Sequence, residues 1–265
     1  MLLAWLLAAP GASGLTVLYT ASLNGKPVGS GVGGQPRAGL AARAAWLRTL
    51  PNRSAAVLID AGDVLAGTAD RALSSEILEV YAELGYDAIA VGLREIAQGV
   101  DALSEYRDRF GLICQNLAIC SSRHCLFFTP EPLLLEKEGM KIGLFALLAP
   151  KTLAAFSNGA ATDIKLVPPE LLAGSLVSQL AGQGAEWILV LYYGPAKEAE
   201  ALARRVRGID LIVVGSEGRP IPPRKAGDTL VTSLGGQGDR LGILDLSRDE
   251  KGRIRYSHRY QLFGY

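Results

Sequence analysis

Short apolar runs alternate with helical patterns along most of the chain. Residues 15–20 (LTVLYT) and 55–60 (AAVLID) are almost entirely apolar, which is typical of buried strands. Apolar residues recur at helical spacing over 37–50 and 69–84, and Gly85 follows the second segment as a C-terminal cap would. The same criteria predict strands at 87–91, 133–136, 140–148, 187–192, 210–214, 229–233, 241–247 and 253–262, helices at about 97–108 and 196–206, and loops at 24–36, 168–169 and 218–227. Strand–helix alternation that ends in antiparallel strands predicts an α/β (α+β) protein of sheets covered by helices, in one domain over 15–265.

The first fourteen residues, MLLAWLLAAPGASG, form an apolar run followed by small residues. The run is too short to span a bilayer, which takes about 20 residues, so no transmembrane segment is expected in the mature chain. The pattern is typical of a signal peptide over 1–14, with Gly11 and Ser13 before a cleavage site, and predicts a periplasmic or secreted protein. Because a basic start is missing, an apolar N-terminus leading into the first strand is the alternative.

Composition limits the class of protein and its chemistry. Hydrophobic residues make up 49% of the chain and charged residues 20%, a balance typical of a globular protein rather than a disordered one. The net charge of +1 argues against a nucleic-acid partner, which usually requires a basic excess. His124 and His258 are the only histidines in the sequence, so a dinuclear metal site built on imidazole is not expected.

Three cysteines, Cys114, Cys120 and Cys125, lie close together in the sequence. Their spacing, C-x5-C-x4-C, matches neither the C-x-x-C redox motif nor the haem attachment motif. In an exported protein, two of the three are expected to form a structural disulfide and one to remain free. A reactive or redox thiol is one alternative, and metal binding with His124 as a further ligand is another.

Several segments together resemble the metallophosphoesterase domain of the 5'-nucleotidase family. They are LTVLYTASLNG at 15–25, RAGLAARAAWLRTL at 37–50, AAVLIDAGDVLAGT at 55–68, LGYDAIAVGLREI at 84–96, WILVLYYG at 187–194, GIDLIVVGSEG at 208–218 and the closing segment at 228–254. The resemblance covers nearly all of 15–262, with the loops in family order. It implies a four-layer αββα sandwich, here without the family's C-terminal domain, which supplies the nucleoside clamp.

Most metal ligands that the resemblance implies are replaced in this sequence. Asp63 retains the bridging aspartate, and Gly92 and Glu95 remain from the family's Gly-Asn-His-Glu segment. Two-metal hydrolysis needs ions about 4 Å apart, which one carboxylate cannot hold. The replaced ligand positions are Ser22, Asn24, Leu93, Arg94, Tyr193, Ser216 and Gly218.

The polar residues that remain each have two candidate roles. Asp63 is expected to hydrogen-bond the loop after the second predicted strand. Its alternative role is to hold a single Mg²⁺ or Ca²⁺ together with oxygens of Asn24 and Ser22. The Arg94 guanidinium is expected to replace metal charge by pairing with Asp63 or Glu95, and its alternative role is to bind an anion such as phosphate.

Tyr192 and Tyr193 are expected to fill space left by the metals, with stacking on a ligand as the alternative. The glycines at 235, 236 and 238 precede a predicted strand rather than a helix. We therefore interpret them as a turn between strands and not as a phosphate-binding loop.

The resemblance also guides the cysteine pairing. Cys114 lies in GLICQNLA, which resembles the family strand that ends in Ala-Asn-Leu, so its side chain is expected to be a free thiol held by the sheet. Cys120 and Cys125 lie in the loop that follows, where four intervening residues permit a small closed ring. They are the expected disulfide.

These observations predict a nucleotidase-like protein that has lost its dinuclear site and serves binding or redox purposes, with no resident cofactor. The expected partner is a small anionic ligand or another protein. The alternative is a residual phosphate-ester hydrolase with an atypical or single-metal site at Asp63. No catalytic residue is assigned, and the relic cavity comprises Asp63, Arg94, Glu95, Asn24, Tyr193 and Ser216.

Overall fold

The computed structural model describes residues 14–26, 29–30, 36–37, 39–67, 70–122, 124–154, 163–236 and 238–263. The expected signal peptide lies outside these residues apart from Gly14. In the described part, no helix is long and apolar enough to cross a membrane. The helices are α1 (Gly39–Thr49), α2 (Arg71–Glu83), α3 (Leu93–Ile96), α4 (Val100–Phe110), α5 (Pro150–Ala154), α6 (Pro169–Gly182) and α7 (Ala196–Arg205), with a 3-10 helix at Arg53–Ala55.

In the part of the chain that the structure describes, the strands form two large sheets and two small ones. They are β1 (Leu15–Thr20), β2 (Gly29–Ser30), β3 (Pro36–Arg37), β4 (Val57–Asp60), β5 (Ala88–Ala90), β6 (Leu112–Ile113), β7 (Leu117–Cys120), β8 (Cys125–Phe127), β9 (Leu133–Lys137), β10 (Met140–Leu148), β11 (Ile164–Leu166), β12 (Trp187–Tyr193), β13 (Leu211–Gly215), β14 (Ile221–Ala226), β15 (Thr229–Ser233), β16 (Arg240–Arg248) and β17 (Ile254–Leu262).

The two large sheets each contain six strands in the described part. The first has the order β17-β16-β1-β4-β5-β6, and the second has the order β14-β15-β13-β12-β10-β9. Strands β1, β4, β5 and β6 are parallel, as are β10, β12, β13 and β15, whereas the remaining strands pair antiparallel at the edges. The loops after the parallel strands therefore leave both sheets at their carboxyl ends.

The alternation of side chains along the strands sorts the apolar residues into layers. In β1, Val17 and Tyr19 pack between the two sheets, and Leu18 packs on the opposite face of its sheet. Helices α1, α2 and α4 bury apolar residues against that face, and α6 and α7 cover the outer face of the second sheet. The architecture is a four-layer αββα sandwich, which confirms the expected fold.

Several segments differ from the sequence expectation. The stretch 218–227 is not only a loop, because it contains β14; two prolines are tolerated there since β14 is an edge strand with an irregular register. Pro168 and Pro169 were expected in a loop, but they lie at the start of α6. A proline is tolerated in the first turn of a helix, because a backbone N–H there would have no partner within the helix. The helix expected at about 97–108 is α4, which begins after Gly99, whose φ is +87°, and the short helix α3 that precedes it was not expected.

The cysteines lie in and beside a small sheet with the order β11-β7-β8. Cys120 and Cys125 are direct partners across β7 and β8 and form a disulfide. Cys114 is a buried free thiol just after β6. Its backbone N–H donates to Thr129 Oγ1 (2.8 Å), its thiol donates to Asn116 Oδ1 (3.4 Å), and burial raises its pKa to about 12.

This arrangement predicts the outcome of thiol counting. In the folded protein we expect no rapidly alkylated thiol, because the reactive species is the thiolate and the pKa of Cys114 is raised. Unfolding without reductant should expose Cys114 alone, and unfolding with reductant should also release Cys120 and Cys125. Peptide mapping assigns each alkylated residue. Rapid alkylation of all three cysteines in native protein from its own compartment would contradict both assignments.

Candidate functional site

Loops from both large sheets meet at the carboxyl ends of the parallel strands. The loops after β1 and β4 lie side by side, because the backbone N–H of Ser22 donates to the carbonyl of Gly62 (2.9 Å) and that of Asn24 to the carbonyl of Asp63 (2.8 Å). The second sheet closes against them so tightly that a Cβ on Gly215 would overlap the carbonyl oxygen of Ala61. The fold therefore brings the loops that carry Ser22, Asn24 and Asp63 close to the end of β13.

Asp63 is the centre of a hydrogen-bonded cluster. Its backbone is left-handed, with φ of +58°, and its side chain is partly buried. The Tyr193 hydroxyl donates to Oδ2 (2.5 Å), and the backbone N–H of Arg94 donates to Oδ1 (2.9 Å). Both carboxylate oxygens thus have a partner from the chain itself.

Glu95 fixes the loop that carries Asp63. Its side chain is fully buried and accepts four backbone N–H groups. Oε2 accepts from Asp63 (3.0 Å) and Gly92 (2.8 Å), and Oε1 accepts from Val64 (2.8 Å) and Leu65 (3.0 Å). Burial and the neighbouring Asp63 raise the pKa of Glu95 to about 7, while the backbone N–H donors oppose that rise.

Tyr193 occupies the space between the sheets. Its side chain is 2% exposed, and its ring lies so close to two glycines that added Cβ atoms at Gly92 and Gly215 would stand 2.7 and 3.0 Å from ring carbons. Burial, followed by the charge of Asp63, raises the pKa of Tyr193 far above its usual value. The hydroxyl therefore stays protonated and serves as the donor to Asp63.

Arg94 does not form the expected ion pair. Its Nε donates to Asn24 Oδ1 (2.9 Å) and its Nη1 to the carbonyl of Ala66 (3.3 Å). From Arg94, Asp63 accepts a hydrogen bond from the backbone N–H and not from the guanidinium. The Glu95 side chain is turned inward toward backbone donors. Within the described ranges, no ion pair links the Arg94 guanidinium to a carboxylate. The guanidinium reaches over the loop after β4 instead of into the cluster, and this corrects the sequence expectation.

The other predicted residues surround this arrangement. Asn24 Nδ2 donates to the carbonyls of Ser22 (2.7 Å) and Gly236 (3.1 Å), so Asn24 connects the loop after β1 to the one after β15. Ser22 is buried, and Ser216 lies exposed after β13. Like Asp63, these three residues have positive φ values: +54° for Ser22, +58° for Asn24 and +65° for Ser216.

Two contributions were not found from the sequence. One is the role of Glu95 as the acceptor of the loop N–H groups. Its only signal in the sequence is its position three residues after Gly92, as in a capping box. The other is Glu217, whose Oε1 accepts the backbone N–H of Ala196 (2.6 Å) and so fixes the start of α7. No group of three or more His, Cys, Asp or Glu side chains that could hold a metal occurs among the described residues.

The chain is similar to nucleotidases and related phosphoesterases. No family model matches it. It is 26% identical over 222 residues to the snake venom 5'-nucleotidase of Gloydius brevicauda, a match that covers 78% of this chain and 37% of that protein. The 5'-nucleotidase precursor of Thermus thermophilus gives a TM-score of 0.74 at 22% identity, over 95% of this chain and 55% of that one. The calcineurin-like phosphoesterase YfkN of Bacillus subtilis gives a TM-score of 0.74 at 17% identity, over 95% of this chain and 91% of that one.

These similarities confirm the resemblance at the level of the fold, and the chain contains a 5'-nucleotidase-like metallophosphoesterase domain. The chain spans little more than a third of the length of the venom 5'-nucleotidase. That protein's activity is therefore not transferred with the fold.

The cluster predicts how the fold responds to substitutions. Tyr193→Phe keeps the ring but leaves Asp63 Oδ2 without its donor, so we expect a loss of about 1–3 kcal/mol in the free energy of unfolding. Gly92→Ala should lower the free energy of unfolding by more, because the added Cβ would lie 2.7 Å from Asp63 Oδ1 and from the Tyr193 ring. Urea unfolding measures both.

Gly218→Ala is the matched control for that experiment. Its added methyl group meets nothing within 4 Å, so it should change the free energy of unfolding by less than about 0.5 kcal/mol. A Tyr193→Phe protein as stable as the unmodified chain would mean that the hydroxyl does not stabilise Asp63.

Proposed function

We propose that this chain is a nucleotidase-like domain that has lost two-metal hydrolysis and binds a small anionic ligand at Arg94. The observation that carries the proposal is the Asp63 carboxylate, which accepts hydrogen bonds on both oxygens while the Tyr193 ring fills the space beside it. Such a centre serves neither to hold two cations nor to place an attacking hydroxide between them.

The donor set supports the loss of hydrolysis. A two-metal centre requires several carboxylate or imidazole ligands arranged around ions about 4 Å apart. Here Asp63 and Glu95 are the acidic groups of the cluster, and Glu95 is committed to four backbone N–H groups. Tyr193 holds its proton, because its pKa is raised, and so it is a hydrogen-bond donor rather than an anionic ligand.

The electrostatics of Arg94 support an anionic ligand. Its guanidinium is partly exposed and, within the described residues, donates only to neutral oxygens, those of Asn24 and Ala66. A guanidinium without a carboxylate partner is suited to phosphate or carboxylate, for which its planar array of donors is complementary. An apolar start that resembles a signal peptide and a disulfide at Cys120–Cys125 support a periplasmic or secreted location.

The hydrolysis half of the proposal predicts an inactive phosphatase. Turnover of AMP and of p-nitrophenyl phosphate with added Mn²⁺ should remain near background, and Asp63→Ala should leave that background unchanged. Elemental analysis of the purified protein provides an independent measurement. Two bound Zn, Mn or Fe ions per chain, or metal-dependent turnover that Asp63→Ala abolishes, would overturn the proposal in favour of residual hydrolysis.

The binding half predicts a measurable contribution from Arg94. Inorganic phosphate and AMP serve as probes in isothermal titration calorimetry, and Arg94→Gln should weaken binding by roughly 10- to 100-fold, as loss of a charge-assisted hydrogen bond does. Arg205→Gln, an exposed arginine of α7, is the control and should bind as the unmodified chain does. Unchanged affinity in Arg94→Gln, or no binding of either probe, would contradict the proposed site.

A further inference from the structure

The Cys120–Cys125 disulfide closes a hairpin at the edge of a sheet. Strand β8 is the outer strand of the order β11-β7-β8, and the two cysteines are direct partners across β7 and β8. The backbone N–H of Ser121 donates to the carbonyl of His124 (2.8 Å), and that of Phe128 to Leu117 (2.8 Å). Counting from these bonds, the cysteines occupy a non-hydrogen-bonded pair, the position at which opposed side chains are closest.

Both the disulfide and its strand are open to solvent. Cys125 is exposed and Cys120 is partly exposed, whereas Cys114 is buried. The other residues of β8 are apolar but not covered, with Leu126 65% and Phe127 44% exposed. An attacking thiolate can therefore reach Cys125 without any opening of the core.

The side chains of β8 divide between its two faces. Because successive residues of a strand point to opposite sides, Phe127 lies on the same face as Cys125, and Leu126 lies on the other face. An exposed aromatic ring beside an exposed disulfide gives a partner an apolar contact at the point where its sulfur would react.

The small ring that the disulfide closes favours exchange over a structural role. It encloses only four residues, so it restricts the unfolded chain little and contributes at the low end of disulfide stabilisation. The enclosed sequence, Ser-Ser-Arg-His, contains two residues that can carry positive charge, and His124 directly precedes Cys125. Positive charge in this short segment stabilises the thiolates of the two cysteines that flank it, and so makes Cys120 a better leaving group in the first step of an exchange and Cys125 in the second.

We propose that the Cys120–Cys125 disulfide is a thiol–disulfide exchange site, attacked at Cys125 by a dithiol oxidoreductase that packs on Phe127. This activity is independent of the proposed ligand site at Arg94. The attacking thiolate forms a bond to Cys125 Sγ while the disulfide breaks, and the electron pair leaves on Cys120 Sγ. The partner's second thiolate then attacks its own sulfur in the mixed disulfide and releases Cys125. Two electrons pass to the chain, both cysteines become thiols on taking up protons, and the partner leaves as a disulfide.

Reduction kinetics of the full chain test the exchange. With reduced glutathione or a thioredoxin-type dithiol protein in excess, reduction should be first order in the thiol and should be complete while the circular dichroism spectrum stays native. The rate with glutathione should lie within about tenfold of that for the urea-unfolded chain. A rate that is independent of thiol concentration would show that reduction waits for unfolding, and the proposal would be wrong.

Variants of β8 test the contact with the partner. Phe127→Ser should slow reduction by the dithiol protein about tenfold while leaving reduction by glutathione unchanged, because glutathione is too small to need the contact. Leu126→Ser removes an exposed apolar side chain from the opposite face and should change neither rate. Equal rates for Phe127→Ser and Leu126→Ser with the dithiol protein would exclude the proposed packing.

Discussion

The geometry of the site depends on one buried carboxylate. Glu95 lies at the start of α3 and accepts the N–H groups of Asp63, Val64 and Leu65 as well as that of Gly92. These bonds join the loop after β4 to the loop after β5, two neighbouring parallel strands. Asp63 can hold its left-handed backbone because its own N–H and those that follow it are fixed. A carboxylate that accepts several backbone donors can be buried without an ionic partner.

Backbone geometry holds the loops of the site, although most of the metal ligands that the resemblance implies are replaced. Ser22, Asn24, Asp63 and Ser216 all have left-handed backbones, a conformation that costs about 1–2 kcal/mol for a non-glycine residue. Three of them stand where the resemblance implies a metal ligand that is now replaced. Backbone hydrogen bonds between the loops after β1 and β4 help to fix the conformations of Ser22, Asn24 and Asp63.

Periodicity predicted most of the fold, and the resemblance predicted which loops meet. Continuous apolar runs identified β1, β4 and β12, because strands buried on both faces have no polar side. Strand β14 was missed because Pro222 and Pro223 are acceptable in a strand only at an edge, and sequence does not reveal edges. The partners of Arg94 were predicted wrongly for a related reason. A long side chain can turn either toward the cluster or over the loop, and spacing along the chain does not distinguish the two.

The hydrogen bonds of the cluster also bear on the charge of the ligand that we propose for this site. A cation approaching Asp63 would compete for the carboxylate with the Tyr193 hydroxyl and the Arg94 N–H, each worth about 0.5–1.5 kcal/mol or more when the acceptor is charged. It would also have to move a ring that is packed against Gly92 and Gly215. The carboxylates of the cluster thus already have hydrogen-bond donors from the protein. Among the described residues, the Arg94 guanidinium donates to neutral oxygens alone, which is why the proposed ligand is an anion.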